Sequence, residues 1–168
     1  MMPRLFYFFL LFELLVVAFF DVTKKKIYNV WAVLNILAFF VATYFFDSLY
    51  FLKFESFIFS IVFLIVGLIL YALKVMGPGD SKFLFSFFLL IPVSLQEDFF
   101  YCLCVITIAV GLSLLFTNLI EHRKKVVYFF KTGDFYPFKA TLGKKFPFAP
   151  LILISWVWFG WRNYKKIL

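Results

Sequence analysis

The chain has 168 residues, 65% of them hydrophobic and 25% aromatic, including 29 Phe, and its mean hydropathy is +1.00. Water-soluble domains are roughly 45–50% apolar, so a soluble globule is excluded. At this length one membrane-embedded domain over residues 1–168 is expected, with no room beside it for a sizeable soluble module.

The net charge of +8 is gathered in clusters between apolar runs. That pattern orients helices in a bilayer, so it reads as topology and contact with anionic membrane lipid, and no nucleic-acid partner is expected. The fold class that follows is an all-α integral membrane protein with about six transmembrane helices.

In chain order, Leu5 to Phe20 is apolar except for Glu13 and predicts a first membrane helix ending at Asp21. Its length resembles a signal-peptide core, but there is no small-residue cleavage site and the basic cluster follows the run instead of preceding it. The polar turn Asp21-Val22-Thr23-Lys24-Lys25-Lys26 leads into a second helix, about Ile27 to Phe46. A third covers about Phe54 to Val75, long enough to span with some tilt. Gly77 to Asp80 breaks the chain, and a short fourth helix runs from near Asp80 to about Leu95, where Pro92 is placed to kink or end it. Gln96-Glu97-Asp98 reads as a polar turn before a fifth helix, about Phe99 to Ile120. One long basic connection follows over residues 121–146, expected at the cytoplasmic membrane surface. A sixth helix starts near Pro147 and ends near Trp161.

Of the 17 Lys and Arg residues, twelve fall in the first, third and fifth connections. Short basic loops face the cytoplasm, which puts the chain in the cytoplasmic (inner) membrane as a multi-pass protein with its odd-numbered connections inside. Asp21 and Asp80 then lie at the cytoplasmic ends of their helices, in one layer.

Metal chemistry has little to draw on. Cys102 and Cys104 stand two apart on a helix and face different ways, no Cys-x-x-Cys pair exists, and His122 is the only histidine. No metal and no cofactor is expected.

Carboxylates are the remaining chemistry. Ionisable groups at membrane depth are by default functional candidates, and Gly77-Pro78-Gly79-Asp80-Ser81-Lys82 places two of them behind a Gly-Pro-Gly break. If the helices of Asp21 and Asp80 pack together, the two carboxyls form a dyad that shares a proton. The ionised member takes a proton from water and the neutral member protonates a carbonyl oxygen, which suits amide hydrolysis. The plain alternative is that Asp80 is an N-cap and Asp21 a helix-end residue facing water. Gly77 and Gly79 permit positive φ angles and close approach of another chain, and Lys82 is a candidate to favour an ionised carboxylate or bind substrate. Glu13, near mid-membrane, is either protonated and hydrogen-bonded or paired with a group on another helix. Asn35 is expected to hydrogen-bond between helices.

Three segments resemble the motifs of type IV prepilin peptidases. Asp21 followed by Lys26-Ile27-Tyr28-Asn29 is similar to their first-aspartate motif, in which Ile-Pro-Asn follows a short basic run. Gly77-Pro78-Gly79-Asp80-Ser81-Lys82-Phe83 resembles the second, Gly-x-Gly-Asp-x-Lys. Phe146-Pro147-Phe148-Ala149-Pro150 is similar to the Pro-Phe-Gly-Pro segment that opens the last helix. The three occur in the family's order, with Tyr28 in place of proline and Ala149 in place of glycine.

The resemblance implies a membrane aspartic endopeptidase with Asp21 and Asp80 as the catalytic pair, supported by Gly77, Gly79, Lys82, Asn29, Pro147 and Pro150. The implied partner is a prepilin or pilin-like (or preflagellin-like) precursor, cut on the cytoplasmic side between a short basic leader and an apolar helix. Larger relatives carry a cysteine-rich domain after the first helix and also N-methylate the new terminus. Here five residues separate Asp21 from Ile27, so the chain resembles the short six-helix form, and methyltransferase activity is not expected. The competing readings are a non-enzymatic scaffold or assembly factor derived from this family, and a small transporter relaying protons or cations through Glu13, Asp21 and Asp80.

Overall fold

The computed structural model describes residues 2–46, 50, 54–72, 76–121, 123 and 147–167. Apart from Glu121 and Arg123, the basic connection expected over residues 121–146 lies outside the described residues, as does His122. Among the described residues all regular structure is helical: α1 (Arg4–Lys24), α2 (Asn29–Phe45), α3 (Phe54–Ala72), α4 (Pro78–Leu89), α5 (Val93–Glu121) and α6 (Ala149–Arg162), then a helical turn at Tyr164–Ile167. Three stretches, α1, α3 and Val93–Asn118 of α5, are long and apolar enough to cross a bilayer. They point to a membrane protein, and the outer faces agree: Phe12 is 69% exposed and Phe54 77%, surface that belongs against lipid.

The helices alternate in direction. At one end of the bundle Tyr50 packs edge-on against Phe6 of α1 and its hydroxyl donates to the Leu90 carbonyl at 2.8 Å. There too the Arg162 guanidinium of α6 covers the ring of Tyr101 at 4.7 Å. At the other end the C-terminus of α1 meets the N-terminus of α6, and the connection between α1 and α2 meets the start of α4.

The centre is α4. It is apolar on almost every side, the pattern of a helix enclosed by others, and Phe83, Leu84, Phe87, Phe88 and Leu89 are all buried. Trp156 of α6 fills the middle: its ring lies edge-on to Phe87 and Phe99, each at 5.3 Å, and stacks on Tyr7 at 5.1 Å. The Tyr7 hydroxyl donates to the Trp156 carbonyl and the Trp156 indole N–H to the Tyr7 carbonyl, at 3.2 and 3.4 Å. That reciprocal pair fixes α6 against α1. Between α3 and α4 the backbones approach closely, because a Cβ on Gly67 would stand 2.5 Å from Cβ of Ser81.

The fourth helix begins at Pro78, near Asp80 as expected, because proline is preorganised for a first helical position. Two boundaries differ from the sequence reading: the fourth helix ends at Leu89, and Gln96-Glu97-Asp98 is no turn, since α5 starts at Val93 and carries all three residues in helix. The break falls at Leu90-Ile91-Pro92, since Pro92 lacks an N–H and disfavours helix in the residue before it. A bend there strands helix-end carbonyls in an apolar place, and Gln96 answers them. It is 1% exposed, and its amide donates to the carbonyls of Ile91 at 3.0 Å and Phe88 at 3.1 Å. Gln96→Leu keeps the bulk but orphans these acceptors. A stability loss of about 1–3 kcal/mol is expected, read from thermal or denaturant unfolding in detergent.

Candidate active site

Asp21 sits one turn before the end of α1, buried at 4% exposure. The backbone N–H of Ala149 donates to its Oδ2 at 2.9 Å. Ala149 is the first residue of α6, where unpaired N–H groups and the helix dipole favour an anion. The segment Pro147–Pro150 therefore does local work: Pro147 lines the site, Pro150 occupies the second helical position and has no N–H to waste, and the N–H between them holds the carboxylate.

Asp80 is the third residue of α4, not its N-cap. Gly77 takes the cap position, and its N–H donates to Oδ2 of Asp80 at 3.0 Å. This is the returning half of a capping box; glycine has no side chain to complete the other half. The geometry fixes where the carboxyl stands relative to the loop that precedes it.

The two aspartates line one cleft of about 390 Å³. Its polar edge is Asp21, Asp80 and Lys25, with the backbone of Gly77; Met76 and Pro147 border the same rim, and Leu70, Thr107, Val110, Gly111, Leu114 and Leu151 carry an apolar wall inward along α3, α5 and α6. A single water needs only about 10–15 Å³ of such space, so the cleft has room for a ligand larger than water. An apolar cavity with a few convergent polar groups is the ordinary form of a ligand site.

The glycines act by space alone. Neither Gly77 nor Gly79 uses the positive φ that glycine permits; of the two properties noted from sequence, close approach is the one seen. A Cβ on Gly79 would come 2.6 Å from the carbonyl oxygen of Ile27, so this glycine lets the α1–α2 connection lie directly on the start of α4. The left-handed backbone falls instead on Lys25, at φ 50° and ψ 36°, where a non-glycine residue costs roughly 1–2 kcal/mol. The turn it makes separates Lys25 from its two neighbours. The ammonium of Lys24 lies over the Phe20 ring at 5.1 Å and the Tyr28 ring at 5.7 Å, and that of Lys26 over Tyr28 at 5.6 Å, while Lys25 lines the cleft.

The other residues expected from sequence stand apart. Lys82 is exposed and is not among the cleft-lining residues; Asn29 is exposed at the first position of α2; Gly79 supports the site from behind. Lys25 was missed as a site residue because it read as one of three equivalent topology markers. The apolar wall was missed because nothing distinguishes Thr107 or Leu114 from lipid-facing neighbours except what lies opposite. Among the described residues no group of three or more His, Cys, Asp and Glu comes together to hold a metal.

Comparison with protein-family models, curated proteins and solved structures finds no match for this chain.

Proposed function

We propose that this protein is a membrane aspartic endopeptidase of the Gly-x-Gly-Asp type, and that it removes the short basic leader from pilin-like precursors at the cytoplasmic face of the inner membrane. One observation supports it above the rest: Asp21 and Asp80, far apart in sequence and each oriented by a backbone N–H, border the same cleft. A scaffold has no need for two oriented carboxyls around a cavity, and a relay needs polar groups in continuous contact across the bundle, whereas between Glu13 and Asp21 α1 carries only the apolar residues 14–20.

All six helices are inferred to cross the membrane. α4 has 12 residues and α6 has 14, roughly 18 and 21 Å at 1.5 Å per residue, less than the ~30 Å of a hydrocarbon core. Such short inner helices leave room for a water-accessible recess above them, which is where the aspartates stand. The apolar helix of a precursor lies along the wall formed by α3 and α5, and its leader junction reaches the carboxyls. One aspartate, ionised, removes a proton from water as the oxygen adds to the amide carbon. The other, protonated, gives its proton to the carbonyl oxygen, and collapse of the adduct transfers a proton to the leaving amine. Residues 1–168 act as one domain, without a metal or cofactor and without N-methyltransferase activity.

Purified protein in lipid vesicles is expected to cleave a synthetic precursor made of a short basic leader joined to an apolar helix, giving one defined pair of products by mass spectrometry. An intact precursor after prolonged incubation, with the protein shown to be folded, returns the chain to the scaffold reading.

A further inference from the structure

Two turns below the cleft lies a second polar cluster that the proposed reaction does not use. Glu13 of α1 is 4% exposed, Asn35 of α2 is 1% and Ser86 of α4 is fully buried. The Ser86 hydroxyl donates to the Phe83 carbonyl at 2.9 Å, and the Asn35 amide donates to Ser86 Oγ at 3.3 Å. Glu13 has Asn35 as its polar neighbour, yet neither carboxyl oxygen receives a hydrogen bond of good geometry, and Oδ1 of Asn35 is equally without a partner. Three buried oxygens on Glu13 and Asn35 therefore lack a hydrogen-bond partner, in surroundings where an unpaired polar group is costly and an ionised one more so.

A carboxyl buried without a cation or a well-made hydrogen bond is least costly when neutral. We propose that Glu13 carries its proton, stays paired with the Asn35 side chain, and so acts as a positioning residue for the aspartate pair. The chain Glu13–Asn35–Ser86 then runs through α1, α2 and α4, and its two ends sit on the helices that deliver the carboxyls. Glu13 is eight residues before Asp21 and Ser86 six after Asp80, roughly 12 and 9 Å along their helices. A rung at that depth sets both the height and the rotation of α1 against α4. Misplacement of a reacting group by about 1 Å costs on the order of a hundredfold in rate, so a weak tie here has a large effect at the cleft. No electrostatic contact with substrate is involved.

The proposal rests on the peptidase reading for its kinetic arm alone. In that arm, Glu13→Gln, which keeps a neutral hydrogen-bonding side chain beside Asn35, is expected to keep kcat within about threefold of wild type. Glu13→Leu is expected to lose ten- to a hundredfold in kcat with KM little changed. Asn35→Leu is expected to match Glu13→Leu, and the double Glu13→Leu/Asn35→Leu to fall no further, because replacing both partners leaves nothing buried and unpaired. The kinetic arm is overturned if Glu13→Gln is as impaired as Glu13→Leu, or if Glu13→Leu is fully active. The second arm needs no activity: infrared spectra in lipid at neutral pH are expected to show, in the Asp21→Asn/Asp80→Asn background that lacks the pair's own acid, a protonated carboxylic acid carbonyl band that Glu13→Gln removes. Failure to find that band overturns the proposal even where a variant does not fold. Wild-type protein that cleaves nothing, with that band still found, counts against the peptidase reading and leaves the proton on Glu13 supported.

Discussion

Asp21→Asn and Asp80→Asn, each alone, are expected to abolish precursor cleavage, with kcat falling by about a thousandfold or more while the protein remains folded. Asparagine keeps the shape of aspartate and one acceptor oxygen, so Ala149 N–H can still donate to residue 21 and Gly77 N–H to residue 80, as they do now at 2.9 and 3.0 Å. What each change removes is the exchangeable proton. Proton transfer by a positioned side chain contributes typically 10²–10⁴-fold, and here the two transfers belong to one step. The double variant is therefore expected to be no worse than either single one, since groups that act as a unit are non-additive. Cleavage would be followed by mass spectrometry, with size-exclusion profiles and melting temperatures as controls on folding. Residual processing near the wild-type rate by either folded variant would falsify the dyad mechanism. The same pair of variants separates enzyme from scaffold: a scaffold loses nothing when two carboxylates become amides.

Much of this arrangement was legible from residues. Apolar runs of spanning length, divided by lysine clusters and by Gly-Pro-Gly, gave the order of the helices, and a carboxylate at the edge of an apolar run marked both Asp21 and Asp80. The errors share a cause. Polarity was read as exposure, so Gln96-Glu97-Asp98 looked like a turn, whereas Gln96 is among the most buried side chains because Pro92 leaves carbonyls nearby that need a donor. Conformational freedom was looked for only at the glycines, whereas the left-handed turn sits on Lys25. In the first case the backbone's demand for hydrogen bonds outranks the side chain's preference for water. In the second, packing of the connection against α4 decides the angle.

What no single segment encodes is the meeting of distant parts. Asp21 is held by an N–H from the start of α6, at the far end of the sequence, and that N–H is in place because Tyr7 and Trp156 clamp the two helices together. The cluster of Glu13, Asn35 and Ser86 is likewise drawn from three helices. Each residue alone is an ordinary oddity in an apolar run; only their convergence distinguishes an unpaired acid from a tie between helices.

The glycines of the loop separate more sharply, and Gly79→Ala is expected to lower kcat by ten- to a hundredfold while Gly77→Ala costs less than about tenfold. Helix propensity argues the other way for Gly79, which lies in the first turn of α4: alanine in a helix is favoured over glycine by up to about 1 kcal/mol. Space decides against it. The added Cβ would stand 2.6 Å from the Ile27 carbonyl oxygen and 3.4 Å from its carbon, where comfortable C···O contacts begin at about 3.3 Å. Both partners are backbone, so the start of α4 and the α1–α2 connection must separate by several tenths of an ångström, and Asp80 moves with α4 away from Asp21. At Gly77 the new Cβ would meet Oδ2 of Asp80 at 3.1 Å, a side-chain atom able to give by that amount without shifting a helix. The melting temperature of Gly79→Ala is expected to change little, because propensity and clash oppose each other, so the loss should appear in kcat and not in the amount of folded protein. Equal activity of the two alanine variants would show that the contact with Ile27 does not set the position of Asp80.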